Sequence, residues 1–359
     1  MSKYNTYKYY CLLEKKEYKL VKDNPHCIQY FCNYSNITDN KPKDKIYYEY
    51  ERSYKGDMRK KNLKDIEDKK KPINKSKLIE IIDDKFPQVQ YRSRKQRPTT
   101  NLHHGQLKLF LSTLQFILYY GDKINDIVYA GSSPGTNIYI FLKMFPKKNW
   151  YLIDPRDHNK KLYESKNVKE IKKEYFTLET AEYYKKKFKN KKFLFISDIR
   201  SEESEERVII DNKLQMECVE IMQPEYSQLK FKIPYSQKEY EYLDGDIYIQ
   251  FYPPVASNET RLVIKKGAKR KTYILKDYES KLYYHNRVYR PSIYKHSLKT
   301  KCLDHCYDCT GFANLISLYC KKYKKIVTKT PDEIVENIDR VLYRKLSENI
   351  KSMKKDLKN

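Results

Sequence analysis

Two acids and a glycine turn, set at strand-sized intervals, are the residues whose types and spacing could do chemistry. The turn Gly131-Ser132-Ser133-Pro134-Gly135-Thr136 follows a short apolar run, DIVYAG. Glycine there lets a ligand approach the backbone closely, and Pro134 stiffens the turn. Asp154 ends the next run, WYLIDP, about twenty residues on, where an acid is suited to accept ribose hydroxyls. Asp198 ends a third run, KFLFISDIR. A tight turn plus a helix-capping acid is the purely structural alternative, but the two in register favour a nucleoside cofactor. The turn lacks a lysine–serine pair, which disfavours nucleotide triphosphate hydrolysis. Proline stands where a dinucleotide fingerprint would continue toward a third glycine, so a nicotinamide cofactor fits less well.

Cys302, His305, Cys306 and Cys309 have a compact spacing that invites zinc. Cys302, Cys306, Cys309, Ala313, Ile316 and Cys320 also form one stripe of a helix, and cysteine is a frequent small core residue. The spacing is read as a buried helix with no metal, in which Gly311 costs about 1 kcal/mol relative to alanine.

The elements that must position these residues follow from periodicity. Leu107, Phe110, Leu111, Leu114, Ile117 and Leu118 place one apolar face on a helix. DIVYAG, WYLIDP, VKEIKKEYF and KFLFISDIR read as strands, with helices over NIYIFLKMF, TLETAEYYKKKF and Lys213–Met222. SQLKFKIPY, DIYIQFYPP and TRLVIKK are three more strand candidates. Strands alternating with helices predict an α/β sheet, with ligands at the carboxyl ends of its strands. Residues 1–85 read as a lysine- and tyrosine-rich accessory or linker region, 86–325 as the α/β domain, and 326–359 as a charged helical tail.

Over 359 residues the net charge is +27, which points to a polyanionic partner. Lysine enrichment of a solvated surface is the alternative. The basic stretch holding Arg92, Arg94, Lys95 and Arg97, together with Arg200, is the candidate RNA contact. The 8 cysteines read as reduced thiols. With no apolar run of membrane length and no signal-like start, the expectation is a cytoplasmic protein without membrane contact.

Six segments in order resemble one family: GQLK at 105–108, YAGSSPGT at 129–136, LIDPR at 152–156, FISDIR at 195–200, LKFKIPY at 229–235 and NETRLV at 258–263. The chain resembles the poxvirus-type cap-specific 2′-O-methyltransferases that double as the small subunit of poly(A) polymerase. The resemblance spans roughly residues 91–319 by eye. It implies a Rossmann-like S-adenosylmethionine-dependent methyltransferase sheet with helices on both faces, working in the cytoplasm of a host cell or in the virion of a large DNA virus. It implies a catalytic tetrad on Lys108, Asp198, Lys230 and Glu259, and S-adenosylmethionine contacts from Gln106, Gly131, Gly135, Asp154, Arg156 and Asp198.

Ribose methylation needs the 2′-hydroxyl to lose its proton. A lysine can take it only if its pKa falls from about 10.4 toward neutrality. Lys230 has the family's spacing to Pro234 and is the candidate base, with Lys232 as the rival. Lys108 either supplies a neighbouring cation or holds the attacking oxygen. The scheme requires no metal. For the cationic methylated guanine of a cap, the resemblance implies stacking on Tyr235 and Tyr91 and an acid, Glu279, on the guanine edge. Gln237 stands where the family has a second acid. Capped mRNA and a poly(A) polymerase catalytic subunit are the implied partners. A non-catalytic RNA-binding subunit, or a methyltransferase of internal riboses, are the competing readings.

Overall fold

The computed structural model describes residues 6–11, 16–21, 37–39, 78–91 and 105–342, apart from 201, 203, 254–256, 291–293, 301–302 and 304–305. Strands β1 (Thr6–Cys11), β2 (Lys16–Val21) and β3 (Ile37–Asp39) pair antiparallel in the order β2-β1-β3. The candidate chemistry lies in a separate, eight-stranded mixed sheet. Its antiparallel part is β4 (Ile81–Ile82), β11 (Asp246–Tyr248) and β12 (Thr260–Lys265). Its parallel part is β5 (Asp126–Ala130), β6 (Asn149–Ile153), β7 (Val168–Lys172), β8 (Phe193–Ser197) and β9 (Tyr226–Phe231). The order is β4-β11-β12-β9-β8-β5-β6-β7.

The central strands read as unbroken apolar runs because both of their faces are covered. All of β8 is buried, and so is each of β5 and β6 beyond its first residue. Neighbouring strand residues point to opposite faces, and β6 shows what each face meets. Trp150 stacks 5.7 Å from Phe141 on α2 (Thr136–Met144), which stacks 4.8 Å from Phe110 on α1 (Gly105–Tyr120). Past the short helix α3 (Lys160–Tyr163) lies α4 (Leu178–Lys187), whose capping residue Phe188 meets Tyr151 edge-on at 5.1 Å. Helix α5 (Glu205–Met222) packs beside α4. Helix α6 (Leu275–Tyr284) runs into a π-turn at His285–Tyr289. Helices α7 (Tyr307–Lys322) and α8 (Pro331–Leu342) join α1 and α2. The expected α/β sheet with helices on both faces is what the chain forms. From β5 the chain builds outward through β6 and β7, then returns to the other side of β5 with β8. Ligands of open α/β sheets bind at such a reversal.

Several boundaries differ from expectation. Leu78, Ile82 and Phe86 are buried, and β4 pairs with β11, so the core sheet begins before residue 86. Val335 and Ile338 of α8 are buried too, which makes this part of the tail a packed helix. Helix α5 starts at Glu205 rather than Lys213, because Ser204 accepts from the Arg207 N–H and Glu205 and Glu206 fill its first turn. A two-stranded ribbon, β10 (Glu239–Leu243) with β13 (Arg270–Ile274), was not foreseen; Tyr242 and Tyr273 pack on Phe231. The cysteine stripe is only partly helical. Helix α7 begins at Tyr307, with Cys306 as its cap accepting from the Cys309 N–H, while Cys302 and His305 lie outside the described residues. Among the described residues no helix is long and apolar enough to cross a membrane.

Gly311 also has a tertiary reason for being glycine. A Cβ there would run into the ring of Phe251, which is buried and packed 5.4 Å from Tyr307. Gly311→Ala is therefore expected to destabilise by about 1–3 kcal/mol through overpacking. An open helix site would instead gain about 1 kcal/mol from the same change. The midpoint of urea unfolding distinguishes the two.

Candidate functional site

Gly131, Asp154 and Asp198 leave the carboxyl ends of β5, β6 and β8, three adjacent strands in register, since Ala130 pairs with both Ile153 and Ser197. The Gly131 N–H donates to the Ile153 carbonyl at 2.9 Å, and the Asp198 N–H donates to the Ala130 carbonyl at 2.9 Å. Gly131 has φ 77°, and a Cβ on it would come within 2.8 Å of the Asp198 carbonyl carbon. Glycine is required by both the turn and the close approach. Gly135, at φ 72°, backs onto Leu162.

The turn is stitched to the loop after β6. Ser133 Oγ donates to the Asp157 carbonyl at 2.8 Å and the Asn159 N–H donates to the Pro134 carbonyl at 3.0 Å. Ser132 Oγ and His158 Nε2 are 2.8 Å apart, both buried, and burial pushes the imidazole pKa down. His158 was missed in the sequence, where a lone histidine in a loop carries no periodic signal.

Asp154 is 2% exposed. Its carboxylate accepts from the Ser133 N–H at 3.0 Å, the Arg156 N–H at 2.9 Å, Arg156 Nε at 3.0 Å and Arg156 Nη2 at 3.1 Å. Burial pushes its pKa up, but these donors outweigh it and hold the group below its ordinary value. The Arg156 side chain is 71% exposed. A buried carboxylate beside a glycine turn, with one exchangeable partner, fits the ribose of a nucleoside. Gln106 Oε1, in the first turn of α1, is buried without a hydrogen-bond partner and offers a further acceptor.

On the β9 side of Asp198 stands a half-buried charge cluster. Lys108 Nζ donates to Glu259 Oε1 at 2.7 Å. Lys230 Nζ lies 3.3 Å from Glu259 Oε2 and 3.5 Å from Asp198 Oδ1. The structure thus brings Lys108, Asp198, Lys230 and Glu259 together from four separate segments. It adds Arg261, 2% exposed, whose Nη2 donates to Asp198 Oδ1 at 2.8 Å. Gln250 clamps the group: its Nε2 donates to Glu259 Oε1 at 3.1 Å and its Oε1 accepts from Arg261 Nε at 2.9 Å. Burial would raise the pKa of Asp198 and of Glu259. Lys230 and Arg261 outweigh it at Asp198, and Lys108, Lys230 and Arg261 hold Glu259 well below the carboxylate range. Arg261 was missed although its signal was present, an arginine inside the apolar strand TRLVIK.

Lys232, the rival lysine, pairs with Glu205 at 3.4 Å instead. Its ammonium sits 4.3 Å over the ring of Tyr235, an exposed side chain. Burial raises the pKa of Glu279 and Lys232 opposes that rise, which links Glu279 electrostatically to the same lysine. Tyr91, also exposed, meets Tyr283 edge-on at 5.6 Å, one turn along α6 from Glu279. Gln237 is exposed. Arg200 turns inward, 11% exposed, onto Asp211 and Asn212, which leaves it little to offer an RNA phosphate. Arg92, Arg94, Lys95 and Arg97 lie outside the described residues. A cavity of about 790 Å³, bordered by Tyr226 and Lys265, lies at the opposite ends of β9 and β12 from the charge cluster. The convergent ionisable groups select the strand ends instead.

The family described as Poly A polymerase regulatory subunit matches residues 64–339. A fowlpox virus protein, named cap-specific mRNA (nucleoside-2′-O-)-methyltransferase, is 33% identical over 216 residues, 53% of this chain and 68% of the relative. The solved structure of bluetongue virus VP4, titled a multifunctional RNA-capping production line, aligns at 19% identity with a TM-score of 0.42. It covers 56% of this chain, and the chain spans 35% of that protein.

Removing one partner of a buried ion pair leaves uncompensated charge, at a cost of about 3–5 kcal/mol. Arg261→Met is expected to lose stability on that scale at neutral pH, read from urea midpoints. Asp198 and Glu259 have lowered folded-state pKa values, so their contribution is present above the unfolded carboxylate range and fades as pH falls through the folded values. The difference between Arg261→Met and wild type should therefore shrink in acid.

Proposed function

The chain belongs to the Poly A polymerase regulatory subunit family, and we propose that it is an S-adenosylmethionine-dependent methyltransferase acting on the ribose 2′-oxygen of the first transcribed nucleotide of capped mRNA. The observation that carries this reading is the ion-paired cluster of Lys108, Asp198, Lys230 and Glu259 beside the glycine turn and Asp154. The name of the fowlpox virus relative supports the same reaction.

Bound at the strand ends, S-adenosylmethionine supplies an electrophilic methyl group on a sulfonium. Asp154 holds the ribose hydroxyls. Its four N–H donors already fill its four acceptor sites, so the exposed Arg156 guanidinium is the partner that gives way. Gly131 and Gly135, both at positive φ, give the turn beside Asp154 its shape, and Gln106 and Asp198 contribute acceptors.

The proton of the attacking substrate hydroxyl goes to Lys230 Nζ. Glu259 ties Lys230 to Lys108, and Asp198 ties Lys230 to Arg261, which fixes the base in place. Positioning of this kind supplies much of the acceleration in an in-line displacement. Tyr235, Tyr91 and Glu279 receive the N7-methylated guanine, by stacking and by hydrogen bonds to its edge.

The family description supports a second role that is compatible with the first, as the RNA-binding subunit of a poly(A) polymerase. The net charge of +27 supports RNA as the ligand in both roles. A fowlpox virus relative supports a large DNA virus, and with it the host cytoplasm or the virion, as the setting.

The deciding experiment is transfer of labelled methyl groups from S-adenosylmethionine to capped and uncapped RNA, with the modified position mapped. Capped RNA methylated at its first nucleotide is the expected result. Equal labelling of uncapped RNA at internal sites would overturn the cap assignment. Lys230→Ala should lower turnover by about 10²–10⁴-fold, the range for a general base, while S-adenosylmethionine affinity stays nearly unchanged. Near-normal turnover in that variant would remove Lys230 as the base.

A further inference from the structure

Lys232 places a cation over the Tyr235 ring. Its Nζ lies 4.3 Å from the centre of the Tyr235 ring and 3.4 Å from Glu205 Oε1. Glu205 Oε2 accepts from the Ser236 N–H at 3.3 Å, so the carboxylate is fixed to the segment that carries Tyr235. The Lys232 side chain is 18% exposed, held against the protein rather than extended into water. Its charge also reaches Glu279. One ammonium thus combines the two features that a methylated guanine would need, an aromatic face and nearby carboxylates.

Resting on the cap-binding reading of Tyr235 and Glu279, we infer that Lys232 competes with the N7-methylated base for the Tyr235 ring and thereby limits cap affinity. Two cations cannot share one aromatic face, so the base enters only as the ammonium leaves. The displaced ammonium stays tethered to Glu205 and repels the incoming positive charge. A neutral guanine must also displace it but meets no such repulsion. Lys232 therefore weakens binding of the charged base more than binding of the neutral one. Glu205 has a double part in this arrangement. It holds the competitor in place, and its bond to the Ser236 N–H holds the segment that carries Tyr235.

The test uses the full-length chain with 7-methylguanosine and guanosine, nucleosides without phosphates, so that attraction of Lys232 to a phosphate chain does not enter. Affinities are measured by calorimetry for wild type, Lys232→Met and Lys232→Arg. Lys232→Met should bind 7-methylguanosine about 2- to 5-fold more tightly, the scale of a partly exposed cation–π contact, with a smaller gain for guanosine. Lys232→Arg keeps a cation on the ring and should stay near wild type, which separates the competition from altered packing. Unchanged or weaker 7-methylguanosine binding by Lys232→Met, in a protein whose wild type prefers the methylated nucleoside, would overturn the inference alone. A wild type that does not prefer it would overturn the cap reading of Tyr235 as well.

Discussion

Two carboxylates largely withdrawn from water and shared among three cations set the terms for this structure. Charges removed from water cost several kcal/mol each unless they are paired and hydrogen-bonded. Asp198 and Glu259 must therefore meet Lys108, Lys230 and Arg261 within a few ångströms, and the sheet is built so that they do. Lys230 and Arg261 are direct cross-strand partners on β9 and β12. Like charges in that relation repel each other. Asp198 Oδ1 lies 3.5 Å from the Lys230 ammonium and accepts from Arg261 at 2.8 Å, and its carboxylate makes the antiparallel addition of β12 to a parallel sheet tolerable.

The same residue joins the two halves of the site. Its backbone N–H extends the ladder to Ala130, its carbonyl takes the space that a side chain at position 131 would need, and its carboxylate enters the charge cluster. The glycine turn and the lysines are thus held at a fixed separation by one residue rather than by a flexible loop. The bonds from the turn to Asp157 and Asn159 restrain its other side. A nucleoside at Asp154 and a hydroxyl at Lys230 would approach from opposite sides of this shared post.

Much of this was legible in the sequence because local order and geometry coincide. A strand ending in an acid or a glycine projects that residue from the sheet edge, so 131, 154 and 198 could be placed from periodicity alone. The tetrad was legible only through resemblance, since Lys108 and Glu259 meet across 151 residues and no local pattern records that. Arg261 escaped because a single charge in an apolar strand reads as noise until its partners are known. The β10–β13 ribbon escaped because its tyrosines alternate with glutamates and lysines, as in a solvated loop, although Tyr242 and Tyr273 are core residues. Gly311 was read as a helix weakness, and only the ring of Phe251 explains it.

The edge strand β4 is short, yet it orders the making of the molecule. Ile81 and Ile82 pair with Tyr248 and Ile247, the Ile79 N–H donates to the Tyr289 hydroxyl, and the Tyr307 hydroxyl donates to the Ile79 carbonyl. These contacts close loops of 210 and 228 residues, and contacts of such span form slowly. In chain order β5 through β8 come first, while β9 keeps an unpaired edge until β12 follows. Lys230 waits for Glu259 and Arg261 over the same interval. The pairing that covers the edge of β9 is therefore also the one that brings Arg261 beside Lys230, and a β9 left unpaired would expose a strand edge of the kind that aggregates.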